Sequence, residues 1–412
     1  MYRMQTEKRT YFRALLADTF GLVIRLTQWC FSAPYPLHPY QRIKQHSQLK
    51  QIRLLRQCTS VVLLILVIAA PIWLYVHYAK LIFGYKIPMS IKLMYYIQTV
   101  LQTFGIGYVM LFYSFKNNFH HFYFGRIAYV LEQFGHRNIG EHLNVVRTNI
   151  RRLLVGVLLH TVMILIILVV REHSWAILPR AIIFMAGQLM STSLTLLYVT
   201  LFYTIAVLLR QMNDTLEGIL NGPALDETSA ESCRFLNKPI RSTRDDQRMI
   251  EKIRLLQLRL LEVVMRTNGD AFGKLLIAIL LTTFIYLNTE LLQLYQGMRI
   301  GAYSFQAIST KLFNAILKFA MLLLYAYPNR MIQEQNLRAL DVLHQLSRTG
   351  NDARCNEIIN RFITQKNFFL AKGHEAYGMI SVDMSLILHI IGGLTSILVV
   401  LVQFSDAKPS RT

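Results

Sequence analysis

Four histidines lie close together in one polar segment of the chain and are the first candidates for a metal site. They are His120, His121, His136 and His142. Their spacing does not give a pair of histidine ligands with a carboxylate as the third ligand. The chain also contains neither an HExxH nor a CxxC motif. The sequence also has no glycine-rich phosphate-binding loop and no nucleophile triad. We therefore predict no catalytic residue, no metal site and no cofactor, and we expect that the protein is not an enzyme.

Polar side chains inside long apolar stretches are the second kind of candidate, because each is costly in lipid and must contact something. Lys318 lies in the middle of such a stretch, and Asn314 lies one turn earlier on the same face. Glu290, near the end of the preceding stretch, is the nearest available counter-charge for Lys318. The sequence leaves open whether these groups form a structural Lys–Glu pair, a snorkelling lysine or a cavity for a small organic molecule. The predicted cavity residues are Tyr96, Gln188, Tyr286, Glu290, Asn314 and Lys318.

The last apolar stretch, SVDMSLILHIIGGLTSILVVLVQF, carries a stripe of small and polar residues. Every third or fourth residue back from Gln403 gives Val399, Ser396, Gly392, His389, Ser385 and Ser381. On a helix these residues share one face. The stripe fits close packing against a neighbouring helix through its small residues. It also fits a water-filled pore lined by several copies of this helix, which would require an oligomer.

The composition indicates the elements that must position these residues. Of 412 residues, 53% are apolar and 16% charged, whereas soluble domains carry about 25% charged residues. Stretches of about 20 apolar residues can cross a bilayer, and the chain has seven, at 58–82, 90–115, 153–171, 181–209, 271–292, 308–327 and 383–404. Residues 11–33 hold three charges and predict an amphipathic helix instead. The predicted fold is an all-α integral membrane protein with seven transmembrane helices.

The distribution of basic residues predicts the orientation. Of the 44 Lys and Arg residues, 33 lie in the alternate segments 1–57, 116–152, 210–270 and 328–378. These segments should be cytoplasmic, which places the amino terminus inside and the carboxyl terminus outside. A G-protein-coupled receptor has the opposite orientation, and the chain lacks the Asp-Arg-Tyr and Asn-Pro-x-x-Tyr motifs of that class. Because the basic residues lie between apolar stretches, we expect membrane lipid and no nucleic acid as a partner.

Three inner segments have apolar residues at helical spacing, at 247–270, 330–349 and 356–371. Their stripes contain Met249, Ile253, Leu256, Leu260 and Val263, then Leu337, Leu340, Leu343 and Leu346, then Ile359, Phe362, Ile363 and Phe369. These helices can pack on each other as a cytoplasmic anchor layer, or lie on lipid headgroups. The predicted organisation is a cytoplasmic segment with an amphipathic helix (1–57), spans 1–4 (58–209), a cytoplasmic loop and helix (210–270), spans 5–6 (271–327), anchor helices (328–382), span 7 (383–404) and an extracellular tail (405–412).

The end of the last stretch resembles the signature of insect gustatory receptors, which reads Thr-Tyr, five apolar residues and Gln-Phe. Here Ser396 and Ile397 stand at the first two positions, residues 398–402 are the apolar run, and Gln403 and Phe404 follow. Ser396 replaces the Thr, unless Thr395 supplies it one place early, and Ile397 removes the hydroxyl of the signature Tyr.

Agreement extends beyond this motif. Gly378 and Asp383, in AYGMISVDMSL, resemble the segment that leads into the last span in the same family. The chain length, the seven predicted spans, the inside amino terminus, the long inner helices and the short outer loops also fit that family.

The resemblance implies a gustatory (contact chemosensory) receptor of the plasma membrane of a sensory neuron. Such a receptor is a ligand-gated, non-selective cation channel that assembles as a homotetramer or as a heterotetramer with related receptors. It implies an outward-opening pocket for a small organic tastant, an anchor domain of inner helices and a pore formed by the seventh spans. The implied pore and gate residues are Gln403, Phe404, Val400, Val399 and Ser396. The alternative functions are a G-protein-coupled receptor and a multi-span transporter. The sequence has no internal repeat that would support the transporter.

Overall fold

The structure is a bundle of long α-helices with one short β-hairpin. The computed structural model describes residues 2–30, 33, 47–82, 89–115, 118–134, 139–172, 177–221, 244–299, 305–349 and 352–406. The helices are α1 (Tyr2–Trp29), α2 (Ser47–Ile82), α3 (Met89–Phe115), α4 (Asn118–Phe134), α5 (Ile139–Glu172), α6 (Ile177–Asn221), α7 (Arg244–Arg266), α8 (Gly273–Arg299), α9 (Phe305–Thr349), α10 (Ala353–Lys372) and α11 (Met384–Asp406). A π-helical turn, Thr267–Ala271, joins α7 to α8, and strands β1 (Glu375–Ala376) and β2 (Ile380–Ser381) lie between α10 and α11.

Each predicted apolar stretch coincides with one helix, but several helices extend well beyond the stretch. Helices α6 and α9 both contain 45 residues, a length of about 67 Å, or roughly twice the thickness of the bilayer hydrocarbon. The predicted boundaries at 209/210 and 327/328 therefore fall inside continuous helices. The amphipathic helix predicted at 330–349 is the second half of α9. Pro328 lies inside α9 and removes one intrahelical hydrogen bond there, yet the helix continues to Thr349.

The outer surface of the bundle is partly apolar. Two stretches of the described residues are long and apolar enough to cross a membrane, Gln188–Asn221 and Gly273–Tyr295, and shorter apolar stretches lie at Leu54–Ala69 and Met384–Val400. Many apolar side chains of α2 and α5 are exposed, among them Ile65 and Leu159. Large exposed apolar surfaces of this kind are typical of contact with lipid or with other proteins.

The amphipathic helices bury their apolar stripes against other helices. The buried members of the predicted stripes are Ile253, Leu256, Leu260 and Val263 of α7, Leu340, Leu343 and Leu346 of α9, and Ile359, Phe362 and Phe369 of α10. Helix α7 packs on α4, α6 and α10, and α10 packs also on α9. Of the two arrangements that the sequence allowed, the structure therefore has the helices packed on each other. Met249 and Leu337, also predicted in these stripes, are exposed.

A lysine is buried within this helical layer. Lys366 of α10 is fully buried, and its Nζ donates to Oδ1 of Asn336 on α9 at 2.6 Å. The ring of Phe362 lies 5.5 Å from the same Nζ. No carboxylate pairs with Lys366 among the residues that the structure describes. Burial lowers the pKa of Lys366 from its ordinary value of 10.5 to about 7, because removal from water disfavours the charged form.

A buried hydrogen-bond network joins the middle of α6 and the middle of α9 to the π-helical turn before α8. Asn268, in the π-helical turn, accepts a hydrogen bond from the Tyr198 hydroxyl of α6 at 2.8 Å. Its Nδ2 donates to Oδ1 of Asn329 on α9 and to the carbonyl oxygen of Gly373, both at 3.2 Å. Nδ2 of Asn329 donates in turn to the Tyr198 hydroxyl at 2.7 Å. All three side chains are fully buried, so each polar group needs these partners.

The backbone at Asn268 approaches the hairpin that leads into α11. The backbone N–H of Tyr377 donates to the carbonyl oxygen of Asn268 at 3.0 Å. A Cβ atom at Gly273 would lie 2.1 Å from that oxygen and 2.8 Å from the nitrogen of Tyr377, so only glycine permits the approach. Tyr377 and Gly378 both have positive φ, 51° and 67°, and the second position favours glycine. Gly378 therefore serves the turn of the hairpin.

The first turn of α11 is capped by Asp383. Its Oδ1 accepts from the backbone N–H groups of Ser385 at 2.9 Å and Leu386 at 3.3 Å. A carboxylate at this position satisfies N–H groups that have no partner within the helix. The hairpin and the cap together fix where α11 begins.

We predict that Asn268→Leu destabilises the protein strongly. The apolar side chain has a similar size but leaves buried polar groups of Asn329 and Gly373 without a donor, each at a cost of about 1–3 kcal/mol. The thermal unfolding midpoint of the detergent-solubilised protein should fall by several degrees. Asn360→Leu, on the exposed face of α10, is the control and should change stability by less than about 0.5 kcal/mol. Equal midpoints for the two variants would contradict the role of the network.

We predict that Lys366 makes stability depend on pH. Because its pKa is lowered to about 7 in the folded state, the folded protein binds fewer protons than the unfolded chain between that value and 10.5. Stability should therefore rise with pH across this window and fall towards neutral pH. Thermal unfolding between pH 7 and 9 should show a shallower pH dependence in Lys366→Met. The control is Lys252→Met, which removes an exposed lysine of α7 and should keep the pH dependence of the unfolding midpoint unchanged. An equal pH dependence in Lys366→Met and Lys252→Met would refute the prediction.

Candidate functional site

A cavity lies between α3, α6, α8 and α9. Its empty volume, including the part open to the surroundings, is about 700 Å³. Its polar lining residues are Gln98, Gln102, Ser191, Thr282, Thr283, Tyr286 and Lys318. Its apolar lining residues are Leu101, Ile106, Val109, Met190, Leu194, Leu275, Ala278 and Ile279, together with Gly105. A mainly apolar cavity with a few convergent polar groups is the usual form of a small-molecule site.

Lys318 contributes the one charged group among the described residues that line this cavity. Its Nζ donates to Oε1 of Gln188 at 2.5 Å and lies 5.7 Å from the centre of the Tyr286 ring. Helix α9 thus presents an ammonium group to α6 and α8 in the middle of the bundle. Gln188 is buried, and its Nε2 has no hydrogen-bond partner among the described residues.

Glu290 does not pair with Lys318, so the Lys–Glu pair that the sequence left open is not formed between these two residues. Its Oε2 lies 2.7 Å from Nζ of Lys311, and its Oε1 accepts from the Tyr95 hydroxyl at 2.9 Å. Gln293 accepts from both Tyr95 and Lys311. Lys311 precedes Lys318 by two turns of α9, which shifts it about 10 Å along the helix. Glu290 lies towards the end of α8, and Lys311 lies near the start of the following helix, α9. Lys311 is therefore the lysine within reach of Glu290.

The structure therefore brings together some of the predicted cavity residues and separates others. Tyr286 and Lys318 line the cavity, and Gln188 adjoins it through Lys318. Glu290 belongs to the neighbouring cluster with Tyr95 and Lys311. Tyr96 is 37% exposed, and neither it nor the half-buried Asn314 lines the cavity. The positions of Tyr96 and Asn314 in the sequence were compatible with the cavity, but these residues lie on other faces of their helices.

Several lining residues were absent from the predicted set. Gln98 and Gln102 are one turn apart on α3, and Thr282 and Tyr286 are one turn apart on α8. Pairs of polar residues at this spacing within apolar helices mark one face, and this signal could have located them. The Oε1 atom of Gln98 is buried without a hydrogen-bond partner among the described residues, so a polar acceptor adjoins the cavity.

Helix α11 has one packed face and one exposed face. Ile387, Ile390 and Leu394 are buried, and α11 packs on α8 and α9. The predicted pore residues Ser396 and Gln403 are exposed, and Val399 and Val400 are about half exposed, at 50% and 47%. The side chain of Phe404 lies outside the described residues. The polar stripe therefore lies on the face that the single chain leaves uncovered.

The two adjacent glycines of α11 have different surroundings. A Cβ atom at Gly393 would lie 3.3 Å from the ring of Phe284 on α8, so this glycine permits close packing of the two helices. A Cβ atom at Gly392 would have nothing within 4 Å. Gly392 is on the exposed face with Ser396, whose hydroxyl donates to the Gly392 carbonyl oxygen at 2.9 Å.

The histidines singled out in the sequence do not converge among the described residues. His120 is buried, and its Nδ1 lies 2.7 Å from the Tyr123 hydroxyl, whereas His142 is exposed. His136 and the side chain of His121 lie outside the described residues. In the part of the chain that the structure describes, no three His, Cys, Asp or Glu side chains are grouped as metal ligands would be.

Comparisons with known proteins place this arrangement in a family. The family described as 7tm chemosensory receptor matches residues 23–408. The fold is similar to that of the insect olfactory receptor OR5 from Machilis hrabei, with a TM-score of 0.67, 11% sequence identity and coverage of 95% of this chain and 99% of that chain. The same receptor in complex with eugenol is similar with a TM-score of 0.59, 12% identity and coverage of 97% and 99%. No curated protein sequence matches this chain.

The likeness to the olfactory receptor, at so low an identity, shows a shared fold. The family match covers almost the whole chain and includes both the cavity helices and α11. It confirms the relationship that the end of the last apolar stretch indicated. This chain belongs to the 7tm chemosensory receptor family.

Proposed function

We propose that this membrane receptor is a gustatory, or contact chemosensory, receptor that acts as a ligand-gated, non-selective cation channel. The observation that carries the proposal is the uncovered polar face of α11. An apolar helix face packed on α8 and α9 needs no further partner, whereas the exposed Gln403 amide on the opposite face needs water or another subunit. Ser396 is exposed on the same face, although its hydroxyl already donates to the Gly392 carbonyl oxygen. Several copies of α11 arranged around an axis would supply both.

The proposed topology has seven spans with the amino terminus in the cytosol. The basic segments 1–57, 116–152, 210–270 and 328–378 support this orientation. The inner halves of α6 and α9, together with α7 and α10, then form a cytoplasmic anchor layer, and residues 405–412 form an extracellular tail. The receptor acts in the plasma membrane of a sensory cell.

The proposed pore is formed by four subunits, either identical or from related receptors. Four copies of α11 would place Gln403 and Phe404 near its outer end, with Val400, Val399 and Ser396 deeper in the path. The Gln403 amides would offer dipoles to a cation that has lost part of its water. Apolar rings of Val399, Val400 and Phe404 would close the path by excluding water.

The proposed ligand site is the cavity between α3, α6, α8 and α9. The olfactory receptor of similar fold has been solved with eugenol. The cavity of this chain has a mainly apolar wall with a few polar groups, which is the usual lining of a small-molecule site. Helices α8 and α9 both line the cavity and pack on α11. A ligand that binds the open arrangement more tightly than the closed one would therefore favour opening. A hundredfold preference corresponds to about 2.8 kcal/mol per site.

We predict that Gln403→Arg abolishes ligand-evoked cation current. Four guanidinium groups around a narrow path would repel cations. Currents should be recorded in excised membrane patches without nucleotides, because a G-protein-coupled response would not persist there. Gln133→Arg adds the same charge on the exposed face of α4 and should leave the current intact. Undiminished cation current in Gln403→Arg, or a response that needs G proteins, would contradict the proposed channel.

We predict that Gly105→Leu weakens ligand binding at least tenfold. Gly105 lines the cavity, and a Cβ atom there would have nothing within 4 Å, so the larger side chain enters open space rather than the packed core. The half-maximal ligand concentration should rise while surface expression stays normal. Gly156→Leu is the matched control, because Gly156 is an exposed helical glycine of α5 that also has open space around it. Equal responses of the two variants would exclude this cavity as the ligand site.

A further inference from the structure

We propose that the cavity recognises an acidic ligand, namely a small molecule with a carboxylate on an apolar body, and that Lys318 binds the carboxylate. This inference rests on the proposed ligand site and adds the chemical class of the ligand. It depends on the charge balance of the cavity, on the hydrogen-bond donors that are left over beside Lys318 and on the apolar character of the remaining wall.

The charge balance of the cavity is incomplete. Among the described residues that line the cavity, Lys318 is the only charged side chain, and none is Asp or Glu. Within the described residues, no carboxylate forms an ion pair with Lys318, and Glu290 is engaged by Lys311 and Tyr95. A lysine in the middle of a span is costly unless an opposite charge or a hydrogen-bond acceptor compensates it. A ligand carboxylate would supply the missing opposite charge.

Donors are in excess around the same point. An ammonium group has three N–H donors, and the amide oxygen of Gln188 accepts one of them. The Nε2 group of Gln188 is itself buried without a hydrogen-bond partner among the described residues. The remaining N–H donors of Lys318, which lines the cavity, can therefore bind a carboxylate oxygen. Charge-assisted hydrogen bonds of this kind are about twice as strong as neutral ones.

The rest of the wall fits an apolar body. Leu101, Ile106, Val109, Met190 and Ile279 line the cavity, and the hydroxyls of Ser191, Thr282 and Thr283 carry no charge. Burial of the hydrocarbon part against these side chains supplies affinity, and the carboxylate supplies specificity. A snorkelling lysine would instead direct its ammonium group to the membrane surface, but Nζ of Lys318 points to Gln188 on the neighbouring helix.

The test uses the full-length receptor in lipid nanodiscs and measures binding directly, without current. The probes are straight-chain carboxylic acids of graded length, from propanoic to decanoic acid, each compared with its methyl ester and its primary amide. The variants are Lys318→Met, which removes the charge but keeps the length, and Lys318→Arg, which keeps the charge. Lys311→Met, two turns earlier on the same helix, is the control for the loss of a lysine from α9.

We expect at least one acid to bind at least tenfold more tightly than its ester and amide. Lys318→Met should lower acid binding at least tenfold and ester binding less than threefold, whereas Lys318→Arg and Lys311→Met should keep the preference for the acid. Equal binding of acid, ester and amide would overturn the inference, as would an equal loss for all three probes in Lys318→Met. Absence of binding by every acid in the series would also overturn it.

The proposed function can fail separately. Acid binding through Lys318 without any evoked current would leave the inference standing and refute the channel. Current evoked only by neutral molecules, unchanged in Lys318→Met, would support the channel and refute the acidic ligand.

Discussion

The structure depends most on the satisfaction of one buried amide, Asn268. A polar group deep in a helical bundle must find partners there, because water cannot reach it. Asn268 meets this constraint with the Tyr198 hydroxyl, the Asn329 amide and the Gly373 carbonyl group. These partners belong to α6, to α9 and to the segment after α10. The amide therefore fixes the relative position of elements that are distant in the sequence.

The position of this network connects the cavity with α11. The π-helical turn that holds Asn268 leads directly into α8, which forms one wall of the cavity. The backbone oxygen of the same residue accepts the N–H of Tyr377 in the hairpin before α11. Gly273 permits that contact, since any side chain there would collide with it. In the proposed mechanism, a displacement of α8 by a ligand would thus be passed both to the packed face of α11 and to the hairpin from which α11 starts.

The two faces of α11 show how the same helix can serve packing and function. Gly393 permits close contact with Phe284 on α8, and the neighbouring apolar residues are buried. The opposite face keeps Ser396 and Gln403 exposed. The sequence alone could not decide whether the small and polar residues served packing or a pore. The structure of one chain shows that they are not used for packing within that chain, which is the basis of the proposed tetrameric pore.

The buried faces of the amphipathic helices could be predicted in part from the sequence. The stripes of α7 and α10 followed from helical periodicity, and their core members are buried as the spacing indicated. Met249 and Leu337 belong to the same periodic pattern but are exposed, because periodicity defines a face and not the extent of the neighbour that covers it. The continuity of α9 through Pro328 was missed for a similar reason. The sequence shows a change from apolar to polar composition there, whereas tertiary packing on α6 and α10 holds the helix together.

The sequence by itself determined the class of the protein, through seven apolar stretches, an uneven distribution of basic residues and a carboxyl-terminal signature of the chemosensory receptor family. These features are local, since each depends on composition or on spacing along one helix. Only the tertiary structure decided that Glu290 pairs with Lys311 rather than with Lys318 and that Gln188 approaches Lys318. Such contacts depend on the rotation and offset of one helix against another. A shift by two turns moves a side chain by about 10 Å, and no local pattern in the sequence specifies that offset.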